Sequence, residues 1–292
     1  MAASKIPLIG LKADLFRHPL DRAATNTLKQ LPGMDVAVRT LLGSVAEELF
    51  YFNNIAASVQ VSDRQLPHLH ELLLDACQIL DLEPPQLYIQ QNPAPNAYTF
   101  AMRGKKPFMV LHTSLVDMLT PEEIQAVMAH ELGHLKCEHG VYLTMANLIM
   151  LASNILPIWG SLIAQSLQEQ MMEWLRCAEF SCDRAALLAT QNPRTVMSVL
   201  MKLAGGSPSI APMLNLDAFI AQAKDYDAMS ATEVGELLKA TQSSQLTHPV
   251  PVLRAREIDR WASSPSYQDL LNGGKVGYNS KGEKNPGKWR NW

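Results

Sequence analysis

Two histidines four residues apart, inside what reads as a well-formed helix, constrain this chain more than its overall composition does. His130-Glu131-Leu132-Gly133-His134 is an H-E-x-x-H pattern. Upstream, Thr120-Pro121-Glu122-Glu123 reads as a capping box with proline at the first helical position. The helix opened there runs past His134, and Ile124, Val127, Leu132 and Leu135 give it an apolar side. Residues four apart sit one above the other on a helix face, so both imidazoles can reach one metal ion. Zinc takes neutral imidazole nitrogens, prefers four ligands and keeps one position for water in a catalytic site. Glu131 is rotated about 100° from His130. It borders the metal instead of binding it, as suits a base that takes a proton from the attacking water.

A third ligand must come from elsewhere. His139 lies nine residues after His130, about 180° around the same helix. The metzincin pattern needs glycine at position 137 and histidine at position 140, where this chain has Cys137 and Gly140. A carboxylate from another helix is the better choice. Glu179-Phe180-Ser181-Cys182-Asp183 is E-x-x-x-D within a helix read from Glu169 to Thr190. Glu179 can complete the site, and Asp183 on the same face can accept the second ring N–H of a ligating histidine. Glu173 is the alternative on that helix, without a matching acid four residues on.

The rest of the chain supplies the frame. The 292 residues allow one large domain or two unequal pieces. The first sixty read as helical, with Val38, Leu41, Leu42, Val45, Leu49 and Phe52 at helical spacing. A helix from Leu66 to Leu80 precedes short strands at Leu87 to Ile89, Ala97 to Met102 and Phe108 to His112, with a turn at 103–105. Later helices start at Pro193, at a second capping box (Ser230 to Glu233) and after His248-Pro249. The expected class is α+β: a mostly helical, zincin-like domain with a small antiparallel sheet. Residues 1–62 form an N-terminal helical segment, 63–262 the catalytic domain and 263–292 a loosely ordered tail. A net charge of -3 without basic blocks speaks against nucleic acid. Cys77, Cys137, Cys177 and Cys182 contain no C-x-x-C pair, which removes a zinc knuckle and points to reduced thiols. Asp14, Arg17 and His18 interrupt the early apolar run, so no secretory signal is expected.

With these residues in place, the chain resembles the M48 zinc metallopeptidases, the Ste24/HtpX group of gluzincins. Beyond the two helical motifs, Asn96-Ala97-Tyr98 resembles the N-A-F/Y that opens that family's substrate-binding edge strand. Thr247-His248-Pro249 with Arg254 resembles its late T-H-P-x-x-x-x-R element. The resemblance implies an endopeptidase with one zinc ion held by His130, His134 and Glu179. It gives Glu131 the role of base and Asp183 that of orienting a ligand histidine. Asn96, Ala97, Tyr98, Thr99 and Phe100 would pair with a polypeptide substrate by strand addition. His248 is open between an oxyanion donor and a cap for the next helix. Arg254 fits a structural ion pair better than a substrate contact.

Many members of that group span membranes several times. Here residues 140–168 carry no charge and are broken by Pro157 and Gly160, which reads as a helical hairpin. Three placements are open to it: buried in the core, in peripheral contact with a membrane surface, or spanning with arms short for a bilayer. The expected location is the cytoplasm or the face of an internal membrane. The N-terminal segment either packs on the core or covers the cleft. The competing function is a catalytically silent, membrane-associated scaffold that kept the fold, and Glu131, needed only for catalysis, favours the enzyme. The sequence leaves the oligomeric state open.

Overall fold

The computed structural model describes residues 5–30, 51–52, 54–101, 106–140, 142–143, 162–230 and 249–276. The sequence breaks into elements largely where its punctuation falls. Short helices α1 (Ala13–Phe16) and α2 (Pro19–Lys29) precede β1 (Val59–Gln60) and α3 (Pro67–Leu80). Strands β2 (Gln86–Gln90), β3 (Ala97–Phe100) and β4 (Phe108–His112) follow, then α4 (Thr113–Met118) and α5 (Pro121–Lys136). The remaining helices are α6 (Leu162–Thr190), α7 (Pro193–Gly205), α8 (Leu216–Ser230), α9 (Pro251–Ala262) and α10 (Pro265–Val276).

The sheet runs β1-β2-β4-β3. It is mixed, which corrects the expected antiparallel sheet. β2 and β4 are parallel, with Gln86 opposite Phe108 and Gln90 opposite His112, while β1–β2 and β3–β4 are antiparallel. The physical reason is the length of chain between β2 and β4: it carries β3 to the outer side of β4 and leaves room for a crossover. β4 is buried at all five residues, as its uninterrupted apolar run requires of a strand covered on both faces. β3 lies at the edge of the described sheet.

α5 is the central helix. Thr120 caps it in a true capping box: its N–H donates to Glu123 Oε2 at 2.8 Å, and Glu123 N–H donates back to Thr120 Oγ1 at 3.4 Å. Glu123 also accepts from Ser198 Oγ and Lys202 Nζ of α7, both at 2.6 Å. One buried carboxylate thus caps α5 and fastens α7 to it. α5 packs on α3, α6, α7 and β3. Its closest approach is to α6 at Gly133, where a Cβ would stand 2.8 Å from the Cys182 Cα and 2.9 Å from the Ala185 Cβ. Only glycine lets the two helices come this near.

Other expectations shift. α6 starts at Leu162, seven residues before Glu169, so the second arm of the proposed hairpin ends inside it. Residues 144–161 lie outside the described residues, as do the 103–105 turn and most of the 38–52 stretch. Of that stretch Tyr51 and Phe52 are helical, and Phe52 is exposed. Ser230 is the last residue of α8 and not a described helix start, and the rest of that capping box lies outside the described residues. The loosely ordered tail is corrected over 265–276. Pro265 begins α10, and its Tyr267 and Leu270 are buried, Tyr267 with its ring 5.1 Å from that of Trp261. The N-terminal segment, over residues 5–30, packs on the core. Leu8, Leu11 and Phe16 join the main apolar cluster, and α2 lies against α6.

Candidate metal centre

The α5–α6 contact sets the site. His130 and His134 face α6 one turn apart, and Glu179 rises between them from α6. His130 Nε2 stands 3.3 Å from Glu179 Oε2, and His134 Nε2 stands 3.5 Å from Glu179 Oε1. Tetrahedral ligands each about 2.0–2.1 Å from a zinc ion lie about 3.3–3.4 Å from one another. The donor set of two imidazole nitrogens and a carboxylate therefore has the spacing such a cation needs. The electrostatics agree. Burial lowers the pKa of His130, but Glu179 and Asp183 outweigh it and hold the ring up at about 10. A pocket that draws positive charge onto an imidazole favours a divalent cation for the same reason.

Each histidine is turned by a different partner. His130 Nδ1 donates to Asp183 Oδ1 at 3.0 Å. Arg254 of α9 forks onto that carboxylate, Nε to Oδ2 at 2.8 Å and Nη2 to Oδ1 at 2.6 Å, and its Nη1 stands 3.2 Å from Glu179 Oε2. Arg254 is thus a buried ion-pair partner of both acids. Its charge overcomes the burial penalty and keeps the Asp183 carboxyl below its ordinary range. His134 Nδ1 instead meets His139 Nδ1 at 3.1 Å, and His139 Nε2 meets Asp21 Oδ2 at 3.1 Å. Burial pushes His139 down to about 4 despite Asp21, so this ring is neutral.

The sequence reading missed this second arrangement. It took His139 as part of a continuing helix, but α5 stops at Lys136. Glu138, at φ 58°, then turns the chain so that the His139 N–H donates to His134 O at 2.9 Å. No glycine marks that turn. Asp21 lies 118 residues away, with no pattern connecting the two. Cys182 was missed as well: its Sγ lies within 4.8 Å of ring nitrogens of both His130 and His134. Burial pushes its thiol pKa well up, and a protonated thiol is a poor ligand beside an ionised carboxylate.

Glu131 points to the cleft side. Its Oε2 accepts from Thr99 Oγ1 of β3 at 2.8 Å, so a residue expected to meet substrate also holds the expected base. A cavity of about 380 Å³ opens beside His130, Glu131 and Glu179, with Asn96 and Ala97 at its rim. Leu115, Val127, Val196, Val199, Leu200 and Leu203 make its walls apolar, and no residue of 5–30 lines it. Tyr98 and Phe100 lie on the same edge strand. His248 lies outside the described residues, while Pro249 lines the cavity. Among the described residues no helix is long and apolar enough to cross a membrane.

The geometry is that of a metal-dependent hydrolase, and comparison with known proteins agrees. Residues 63–262 match peptidase family M48. The chain is 55% identical over 261 residues to the plastoglobule-localized metallopeptidase 48, chloroplastic, of Arabidopsis thaliana, covering 89% of this chain and 76% of the plant protein. It is 30% identical over 169 residues to a protease HtpX homolog of Methanosarcina acetivorans, covering 50% of this chain and 58% of that protein. A protease HtpX homolog of Moorella thermoacetica is 27% identical over 177 residues, covering 52% of this chain and 59% of its own length. With both helical motifs inside the matched span, and a named metallopeptidase aligned over 89% of this chain, the chain belongs to peptidase family M48 and is a metallopeptidase.

Proposed function

We propose that this chain is a zinc-dependent endopeptidase that hydrolyses internal peptide bonds of proteins. The observation that carries the reading is the convergence of both histidine Nε2 atoms on Glu179, with Glu131 beside them at the mouth of a cleft edged by β3. A bound zinc ion would supply Lewis acidity, polarising the scissile carbonyl and making a water acidic enough to give up its proton. The chain does the rest. An extended substrate adds along the β3 edge from Asn96 to Phe100, its backbone pairing as a further strand. An apolar side chain next to the cleaved bond enters the cavity walled by Leu115, Val199 and Leu203. Glu131, steadied by Thr99, takes the proton of the attacking water and returns it to the leaving amine. Asp183 and Arg254 hold His130 in place throughout.

The plant relative's name places that protein at plastoglobules. By that kinship we extend the reading to a peripheral location on an internal lipid surface, with residues 140–168 as the contact and damaged proteins at that surface as substrates. Carbonate treatment of native membranes should release the chain in full, whereas a spanning hairpin would resist.

Glu131→Gln tests the catalytic assignment. The variant should retain about one zinc per chain and lose casein cleavage by about 10²–10⁴-fold, since the base goes and the ligands stay. Cleavage at the parent's rate would contradict the assignment. If the parent itself binds zinc and cleaves nothing, the scaffold reading takes its place.

A further inference from the structure

The hydrogen-bond chain behind His134 can be read proton by proton. Asp21 is fully buried on α2. Its Oδ2 accepts from Ser181 Oγ at 2.6 Å and faces Arg17 Nε at 3.1 Å, and its Oδ1 accepts from Thr25 Oγ1 at 3.0 Å. Ringed by donors, this carboxylate is ionised and only accepts. The hydrogen on the His139–Asp21 contact therefore sits on His139 Nε2. Arg17 already supplies the counter-charge of Asp21, so His139 needs to bring no second hydrogen, and its lone pair falls on Nδ1. Two ring nitrogens 3.1 Å apart share one hydrogen, so that hydrogen belongs to His134 Nδ1. The lone pair of His134 is left on Nε2, the atom that faces Glu179.

We propose that Asp21, acting through His139, is a positioning residue of the metal centre: it sets the tautomer and the ring orientation in which His134 can bind the cation. This rests on the metallopeptidase reading above. Asp21 lies before the span matched to the family, so the N-terminal segment is part of the site's machinery. Two further contacts hold the relay rigid. Trp174 stands edge-on to the His139 ring at 5.4 Å, and its Nε1–H donates to Thr25 Oγ1 at 2.9 Å.

The same cluster could be taken for a second metal site, because Asp21, Cys137 and His139 offer ligand atoms within 4.8 Å of one another. Arg17 argues against it. Its guanidinium already sits on Asp21 Oδ2 and also donates to the Cys137 carbonyl, so the positive charge the acid requires is in place. Simple packing is an inadequate account too. Burying a carboxylate and an imidazole costs free energy that an apolar pair of the same volume would not.

The test uses the full chain and reads zinc affinity by competition with a chelator, at a temperature where circular dichroism shows each variant folded. His139→Phe keeps a ring and removes the acceptor, and should weaken zinc binding by about 10–100-fold. Asp21→Asn offers one amide oxygen to three donors and should weaken it by about tenfold. His139→Gln can accept from His134 and donate to Asp21 through one amide, and should return affinity to within about threefold of the parent. Leu28→Ala, elsewhere in the buried face of α2, should lower thermal stability and leave zinc affinity unchanged. If His139→Phe does not fold, Asp21→Asn against His139→Gln carries the comparison. His139→Phe and Asp21→Asn both binding zinc within twofold of a zinc-binding parent would overturn the proposal alone, as would Leu28→Ala losing as much affinity as Asp21→Asn. A parent that binds no zinc would overturn the metallopeptidase reading and the relay with it.

Discussion

His130 and His134 sit one turn apart on the same helix, yet the molecule steers them by opposite means. His130 is held by charge: a carboxylate on α6 touches its ring, and an arginine on α9 clamps that carboxylate. His134 is held by a second, neutral imidazole that passes the constraint to a buried aspartate on α2. The first arrangement lies wholly within the span matched to the family. The second borrows from the segment before it. A histidine ring can thus be fixed either by an ion pair close at hand or by a relay through two more layers of packing. The two should fail differently.

The largest effect is expected on the charged side. Arg254→Met would leave two buried carboxylates without their counter-cation, and should cost about 3–5 kcal/mol in urea unfolding without added metal. Saturating zinc should restore part of that. A loss below about 1 kcal/mol, the scale of an exposed pair, would mean the clamp is ornamental. Next comes Gly133→Ala, which strikes both histidines at once. Its Cβ meets the Cys182 backbone at 2.8 Å, so α5 and α6 must part. The cost should approach about 3 kcal/mol, with zinc affinity falling as well. Unchanged affinity would show that the close helix approach is not what brings Glu179 to the rings.

The relay side predicts a pH signature. Burial alone would raise the Asp21 carboxyl, but His139, Arg17 and Ser181 outweigh it and hold it at about 2, below its ordinary 3.8. A depressed acid contributes stability that is fully present above the unfolded value and lost as the pH falls through the folded one. Asp21→Asn should therefore cost about 2 kcal/mol at neutral pH. That difference from the parent should shrink between pH 4 and pH 2, and a gap constant across that window would contradict the assignment. The smallest effect belongs at the far end of α5. Thr120→Ala should cost about 1 kcal/mol by removing the cap and leave zinc affinity untouched, which calibrates how far helix stability alone reaches the site.

The charged side was also the legible one. Four-residue spacings put His130 with His134 and Glu179 with Asp183 on single helix faces, so each half of the site is written locally. Their meeting follows from Gly133, whose meaning appears only once α6 is laid against it. The relay was illegible for physical reasons. Glu138 makes a left-handed turn without glycine, and Asp21 meets His139 through tertiary packing that leaves no periodic trace. The sheet was legible strand by strand, since β4 announces itself as an apolar run. The parallel pairing of β2 with β4 was not, because register is set between strands and not within them. α10 was hidden by Ser266, Gly273 and Gly274, which masked the apolar residues Tyr267, Leu270 and Leu271 that dock it.

The metal centre is defined by which atoms hold the cation. Zinc K-edge X-ray absorption of the full chain should show only nitrogen and oxygen neighbours near about 2.0–2.1 Å, with imidazole scattering from His130 and His134. A sulfur shell at about 2.3 Å, lost in Cys182→Ser and kept in Glu179→Gln, would place the cation on the thiol side of the rings and contradict the centre described above.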